Sequence, residues 1–178
     1  MKIMITGGMG FIGSHLCEQL LIEKHDLVVL TKSFLKKHNI ANISKKIKIE
    51  KIDVTDFKRL GQSIQKNKPN VIIHLAGQTS HSQSFKQPLN DIDSNAKSTL
   101  FILEEIRKSK LKCRFILGST FIVIGRPQKI PIDEKTPCWP TTVYGANRLA
   151  SEHYCKIYHE VYGLDTVTFR ITNSFGPR

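Results

Sequence analysis

The chain has 178 residues, 40% of them hydrophobic, and a formal net charge of +12. That length supports one substantial core, and no apolar run approaches the ~20 residues that cross a bilayer, so no membrane partner is expected. Cys17, Cys113, Cys138 and Cys155 are scattered with no C-x-x-C pair, which argues against a metal site or a disulfide framework and for a reduced, cytoplasmic protein.

Lys2 to Thr6 reads as a short strand, too brief and too quickly broken by glycines to be a secretory leader. It runs into Gly7-Gly8-Met9-Gly10-Phe11-Ile12-Gly13, after which Ile12, Leu16, Leu20 and Leu21 recur at helical spacing to about Lys24. Asp26 to Thr31, with Leu27-Val28-Val29-Leu30, has the unbroken apolar run of a strand buried on both faces. Ile47, Ile49 and Ile52, separated by Lys and Glu, make a wetter third strand at a sheet edge. Thr55 to Lys66 is predicted as a helix and Val71 to Leu75 as a fourth strand. Asp93 to Lys108 comes next as a helix with Ala96, Leu100, Leu103 and Ile106 inward, then Phe115 to Leu117 as a fifth strand. Gly125 to Pro140, with four of the seven prolines, is an irregular loop. The last helix, Val143 to Tyr162, carries Ala146, Leu149, Ala150, His153, Tyr154, Ile157, Tyr158 and Val161 on one stripe and stops at Gly163; Thr166 to Ile171 is a sixth strand. Alternating strands and helices at this spacing give a doubly wound α/β parallel sheet with helices on both faces.

Ligands of such sheets bind beyond the carboxyl ends of the strands. That rim carries Gly7 to Gly13, Thr31, Asp53, Ala76-Gly77, Ser119-Thr120 and Thr172-Asn173. Gly7, Gly10 and Gly13 at three-residue intervals between strand and helix suit a dinucleotide, because its pyrophosphate reaches backbone N–H groups only where side chains are missing. The bland alternative is a glycine-rich turn without a ligand. Tyr144 and Arg148 are four apart near a helix start and share a face. A fixed cation beside a phenol lowers its pKa toward the range of a useful base. The other reading of Tyr144 is a tyrosine packed under the loop. Lys32, Lys36, Lys37, Lys45, Lys46, Lys48 and Lys51 crowd one segment. With no aromatic platform among them, a solvated face is preferred to nucleic-acid binding.

The glycine pattern, Asp53-Val54, His74-Leu75-Ala76-Gly77, Asn95, Ser119-Thr120 with Val123-Ile124-Gly125, Tyr144-Gly145-Ala146-Asn147-Arg148 and Arg170-Ile171-Thr172-Asn173-Ser174-Phe175-Gly176-Pro177-Arg178 occur in order along the whole chain. Together they resemble the extended short-chain dehydrogenase/reductases, and within them the NAD-dependent epimerase/dehydratase branch that acts on nucleotide-activated sugars. The resemblance implies a Rossmann-type fold over residues 1–178, with NAD or NADP bound. Gly7, Gly10, Phe11, Ile12, Gly13, Thr31, Lys32, Asp53, Val54, Leu75, Ala76, Gly77, Tyr144 and Arg148 would hold the cofactor, Asp53 facing the adenine. Thr120, Tyr144 and Arg148 would be catalytic, and Thr120 and Asn173 would meet the sugar nucleotide. Tyr144 would take a proton from a sugar hydroxyl while the carbon gives hydride to the nicotinamide. Asp53 as a turn residue and Asn173 as a loop cap are the ordinary alternatives, and Asn95 is a structural hydrogen-bonder in the family. A homodimer through the helix preceding the fifth strand and the tyrosine-bearing helix is also implied.

Three departures modify that picture. The family's usual lysine four residues after the tyrosine is Arg148, a planar fork in place of a compact ammonium. The second strand ends in Thr31-Lys32-Ser33 with no carboxylate for a ribose 2′-hydroxyl, so NADP is admitted. Phe121 and Ile122 stand where sugar-nucleotide dehydratases carry an acid/base pair, which disfavours dehydration and leaves epimerisation or simple oxidoreduction. The family continues past Gly176-Pro177-Arg178 into a smaller substrate lobe, so the chain is expected to be either a fragment or a short product. A catalytically silent dinucleotide-binding module is the alternative function.

Overall fold

A computed structural model describes residues 1–178. Six strands, β1 (Lys2–Thr6), β2 (Asp26–Thr31), β3 (Lys48–Lys51), β4 (Val71–His74), β5 (Arg114–Thr120) and β6 (Thr166–Ile171), form one sheet in the order β3-β2-β1-β4-β5-β6. Every pairing is parallel. The order reverses between β1 and β4, and the crevice at such a reversal is where a ligand of this architecture lies.

Alternation along the strands builds two cores. Met4, Val28, Leu30, Ile72, Phe115 and Leu117 face one side, with Leu60, Ile64, Ile102, Leu103, Ile106, Cys155 and Tyr158 of α2 (Phe57–Asn67), α5 (Ser98–Lys108) and α6 (Val143–Tyr162) laid over them. Ile3, Ile5, Leu27, Val29 and Ile73 face the other, covered by Met9, by Cys17 of α1 (Phe11–Ile22), by Ile40 at the end of one short 3₁₀ turn and by Ile43 just before a second. Lys48–Lys51 is an edge strand as its mixed pattern predicts, and β6 forms the opposite edge.

Two expectations need correction, and one helix is additional. The helix predicted over Asp93 to Lys108 is the last part of a longer run, α4 (Pro88–Ile92), a π turn over Asp93–Lys97, then α5. The residue inserted by a π turn rotates the helix beyond it, so Ile102 lies fully buried while Leu100 is half-buried. A further short helix, α3 (His81–Lys86), occupies a stretch whose Ser and Gln carry no apolar period. Finally, α6 has the predicted limits but buries a different face, formed by Tyr144, Arg148, Ser151, Cys155 and Tyr158.

Candidate active site

The turn from β1 into α1 is shaped by glycine. Gly7 has φ +73°, and a Cβ there would lie 2.9 Å from the Ala76 nitrogen; a Cβ on Gly13 would collide with the Gly7 carbonyl. Only glycine lets β1, the tip of β4 and α1 come this close. The Gly10 N–H donates to the Gly7 carbonyl (2.9 Å), and the first α1 amide to find a helical acceptor is that of Ser14, bonded to Gly10 O (2.9 Å). The N–H groups of Phe11, Ile12 and Gly13 are therefore left open at the positive end of the helix, with no side-chain cap and no acidic residue in the first turn.

A buried hydrogen-bond chain fixes the neighbouring β4 tip. The Ala76 N–H donates to Thr6 Oγ1 (3.1 Å), which lies 2.7 Å from His74 Nδ1, while His74 Nε2 lies 3.1 Å from Ser98 Oγ. Ser98 already donates to the Ser94 carbonyl (2.7 Å). Hence Nε2 carries the proton and donates to Ser98, and Nδ1 accepts from Thr6. Burial, seconded by the positive charge of Arg148, pulls the His74 pKa down to about 3 and holds the ring neutral.

On the far side of the crevice, Thr142 caps α6 by accepting the Gly145 N–H (2.9 Å). The cap sets Tyr144 and Arg148 in the first turns. The Tyr144 ring is 7% exposed and stacks on His81 at 5.6 Å, and the Arg148 guanidinium lies 5.7 Å from its centroid. Arg148 is 2% exposed, with Nε and Nη1 unpartnered. A Cβ on Gly77 would strike both Arg148 Nη2 and Asn95 Oδ1, so this glycine brings β4, the π turn and α6 together. Thr120, at the end of β5, accepts the Ile122 N–H (3.3 Å), which leaves its own O–H to donate elsewhere. A Cβ on Gly145 would come within 3.2 Å of the Ile122 carbonyl, so the β5 tip abuts the start of α6.

The remaining candidates divide. Leu75 is half-buried and its N–H donates to the Thr6 carbonyl (3.2 Å). Thr31 donates to the Ser33 carbonyl (2.7 Å), and Lys32 is exposed beside it. Asp53 Oδ1 accepts from the Thr55 N–H (3.0 Å) and hydroxyl (2.9 Å), the turn role open to it, with Oδ2 free of both. Val54 sits in the core and presents only backbone to the rim. Asn173 is exposed beyond the end of β6. Asn95 donates to Asp91 Oδ1 (3.1 Å) and to the Gln78 carbonyl (3.0 Å), the structural hydrogen bonding that the resemblance implies, whereas His81, Asp91 and the contact of Glu152 with Arg170 escape the sequence reading. Ser119 donates to Glu152 Oε1 (2.5 Å), and Arg170 grips the same carboxylate (2.8 Å), bracing the β5 tip. The local signals were Ser80 followed three residues on by Gln83, which starts the helix holding His81, and Pro88, which starts the one holding Asp91.

Comparison with known proteins agrees with this geometry. Residues 4–178 match the family model described as GDP-mannose 4,6 dehydratase. A putative UDP-glucose 4-epimerase of Methanocaldococcus jannaschii is 34% identical over 176 residues, 99% of this chain and 57% of that protein. The UDP-glucose 4-epimerase of Thermotoga maritima, solved with UDP-glucose, superposes with a TM-score of 0.91 at 29% identity, covering 100% of this chain and 57% of that one. A dTDP-glucose 4,6-dehydratase of Streptomyces venezuelae, solved with NAD and TYD, gives 0.89 at 26%, covering 99% and 56%. The chain thus spans little more than half the length of these relatives. With a family match from Met4 to the last residue and a fold that superposes over the whole chain, the chain belongs to the GDP-mannose 4,6-dehydratase family, within the epimerase/dehydratase branch of the extended short-chain dehydrogenase/reductases.

Proposed function

We propose that residues 1–178 are the dinucleotide-binding and catalytic half of an NAD(P)-dependent sugar-nucleotide epimerase or related oxidoreductase. The observation that carries this reading is that the β4 tip joins two features: the open amides of Phe11, Ile12 and Gly13, next to the Gly7 turn packed on Ala76, and the buried cation Arg148, whose Nη2 packs on Gly77. An extended anionic ligand with polar hydroxyls satisfies both ends. The open amides take the pyrophosphate, Ala76 and Gly77 line the middle, and Arg148, packed behind Gly77 through Nη2, supplies positive charge to the far end. The free face of Asp53 and the ends of β2 and β3 receive the adenosine.

The bound nicotinamide supplies a reversible hydride acceptor. The chain's own residues then handle the proton: Thr120 donates to the reacting substrate oxygen, and Tyr144 removes its proton as that carbon is oxidised. Phe121 and Ile122, in the 3₁₀ turn after Thr120, bear no titratable group, so the elimination a dehydratase requires is not supported there. Asn173 is assigned to the sugar nucleotide. No carboxylate stands at the end of β2 to repel a 2′-phosphate, and Lys32 and Lys36 are exposed nearby, so NADP is accepted as well as NAD. The burial of Arg148 also favours a second reading, a module that binds cofactor without turning over. A homodimer through α5 and α6 completes the proposal.

Fluorescence titration with NADH and NADPH, then incubation with UDP-glucose and UDP-galactose, tests it. Both cofactors are expected to bind, NADPH at least as tightly, and Gly13→Ala to abolish binding. Tyr144→Phe should keep binding and lower cofactor reduction by about 10²–10⁴-fold. Absence of binding by the unmodified chain overturns the proposal. Binding without turnover, persisting in Arg148→Lys, selects the silent module.

A further inference from the structure

Arg148 is the one buried Lys or Arg of the molecule, and Asp91 is its one buried carboxylate. They belong to the same cluster without touching. Asp91 Oδ1 accepts from Asn147 Nδ2 (2.7 Å), the residue before Arg148 on α6, and from Asn95 Nδ2 (3.1 Å) in the π turn. The second N–H of the Asn95 amide donates to the Gln78 carbonyl (3.0 Å). With both its donors committed, Asn95 must turn Oδ1 toward Gly77, where Arg148 Nη2 also lies. Five buried side-chain polar atoms lack a partner in the whole structure, and four of them are here: Asp91 Oδ2, Asn95 Oδ1, Arg148 Nε and Arg148 Nη1.

We propose that Asp91 is the positioning residue of Arg148. Its carboxylate supplies the counter-charge that a desolvated guanidinium needs. By gathering the amides of Asn147 and Asn95 it also holds α6 against the π turn and aims the Asn95 oxygen at the guanidinium. The pair stays apart, so Asp91 acts on Arg148 through its charge and not through an ion pair, and the guanidinium stays directed at Gly77 through Nη2. This rests on the reading of Arg148 as a cofactor-facing cation.

A double-mutant cycle with Asp91→Asn and Arg148→Met tests the inference. Asparagine keeps an acceptor for the two amides and removes only the charge. Thermal unfolding without ligand reads the pairing directly, and the NADH dissociation constant reads its consequence for the site. Asp91→Asn is expected to lower the melting temperature in the Arg148 background and to leave it nearly unchanged, or raise it, in Arg148→Met. NADH affinity should fall about tenfold with Arg148 present and stay level with Met at 148. If Asp91→Asn folds only in the Arg148→Met background, that rescue is itself the coupling. Additive effects on both readouts, or misfolding in both backgrounds, reduce Asp91 to a packing residue and overturn the proposal. Should the unmodified chain fail to bind NADH, the functional reading falls, while the melting temperatures still decide whether the two charges are linked.

Discussion

His74 sits where the cofactor crevice meets the core, and its protonation state links the site to stability. Folded, it takes up a proton only near pH 3, whereas in the unfolded chain it does so near its ordinary value of 6.5. Between those values the unfolded state holds the extra proton, so stability falls as the pH falls, by about 1.4 kcal/mol per unit for this group. Glu104 adds a loss of the same sign at lower pH, because hydrogen bonds from Arg107 and Tyr158 hold its carboxyl down at about 2. Comparing variants separates the two. Denaturant unfolding from pH 7 to 4 should show a shallower acid decline in His74→Gln, which starts less stable at pH 7 for want of the Thr6 contact. An identical decline in both proteins would remove His74 as the cause. His74 also holds the Thr6 hydroxyl that accepts the Ala76 N–H, so the variant should loosen the backbone on which the middle of the dinucleotide is proposed to rest.

Helix ends carry a second kind of choice. The turns after α1, α2, α5 and α6 all close at the amino-terminal edge of the sheet, and the first three place Lys24 (φ 61°), Lys68 (φ 45°) and Lys110 (φ 50°) in the left-handed region, where the fourth uses Gly163 (φ 68°). A left-handed residue with a Cβ costs about 1–2 kcal/mol, and a cation at a helix carboxyl end returns about 0.3–1 kcal/mol. Lys68→Gly is therefore expected to raise the melting temperature by about 1–3 °C and Gly163→Ala to lower it by a similar amount. Nothing lies within 4 Å of a Cβ at Gly163, so the second change reads backbone conformation alone. Melting temperatures moving in the opposite directions would show that the dipole outweighs the strain. The elements themselves were largely legible, since β2, α6 and β6 have the limits their patterns predict. The buried face of α6 was not, because Arg148 and Ser151 are polar and hydropathy assigns polar residues to solvent. In the site, the glycines, Thr120, Tyr144 and Arg148 stand out by spacing. Asn95 is marked only by the family resemblance, and Asp91 and His81 not at all, because their partners come from distant segments and the π turn leaves no mark in the apolar period.

The misread stripe of α6 becomes informative for the molecule as a whole. Ile157, Val161 and Tyr162 are 47%, 65% and 50% exposed, an apolar run along one helix that a free monomer has no use for. This is the helix through which a homodimer is proposed. Electrostatics give that proposal a sign. Each chain carries +12, so two copies repel. Much of the charge around the stripe is locally paired, however, Lys156 with Glu160, Arg107 with Glu104 and Arg114 with Asp165, which leaves Lys110 and Lys112 as the unpaired cations of the groove beside Tyr162. The largest group of surplus lysines, in the 32–51 segment, sits elsewhere. Added salt should then screen the long-range repulsion and spare the apolar contact, so sedimentation equilibrium is expected to show tighter self-association as ionic strength rises from about 0.05 to 0.5 M. Ile157→Asp with Val161→Asp should leave a monomer at every salt concentration while keeping the NADH affinity of the parent chain, because neither side chain lines the crevice. Association that weakens with salt would mean contacts made through the lysine-rich surface, and a double variant that still dimerises would place the interface off α6.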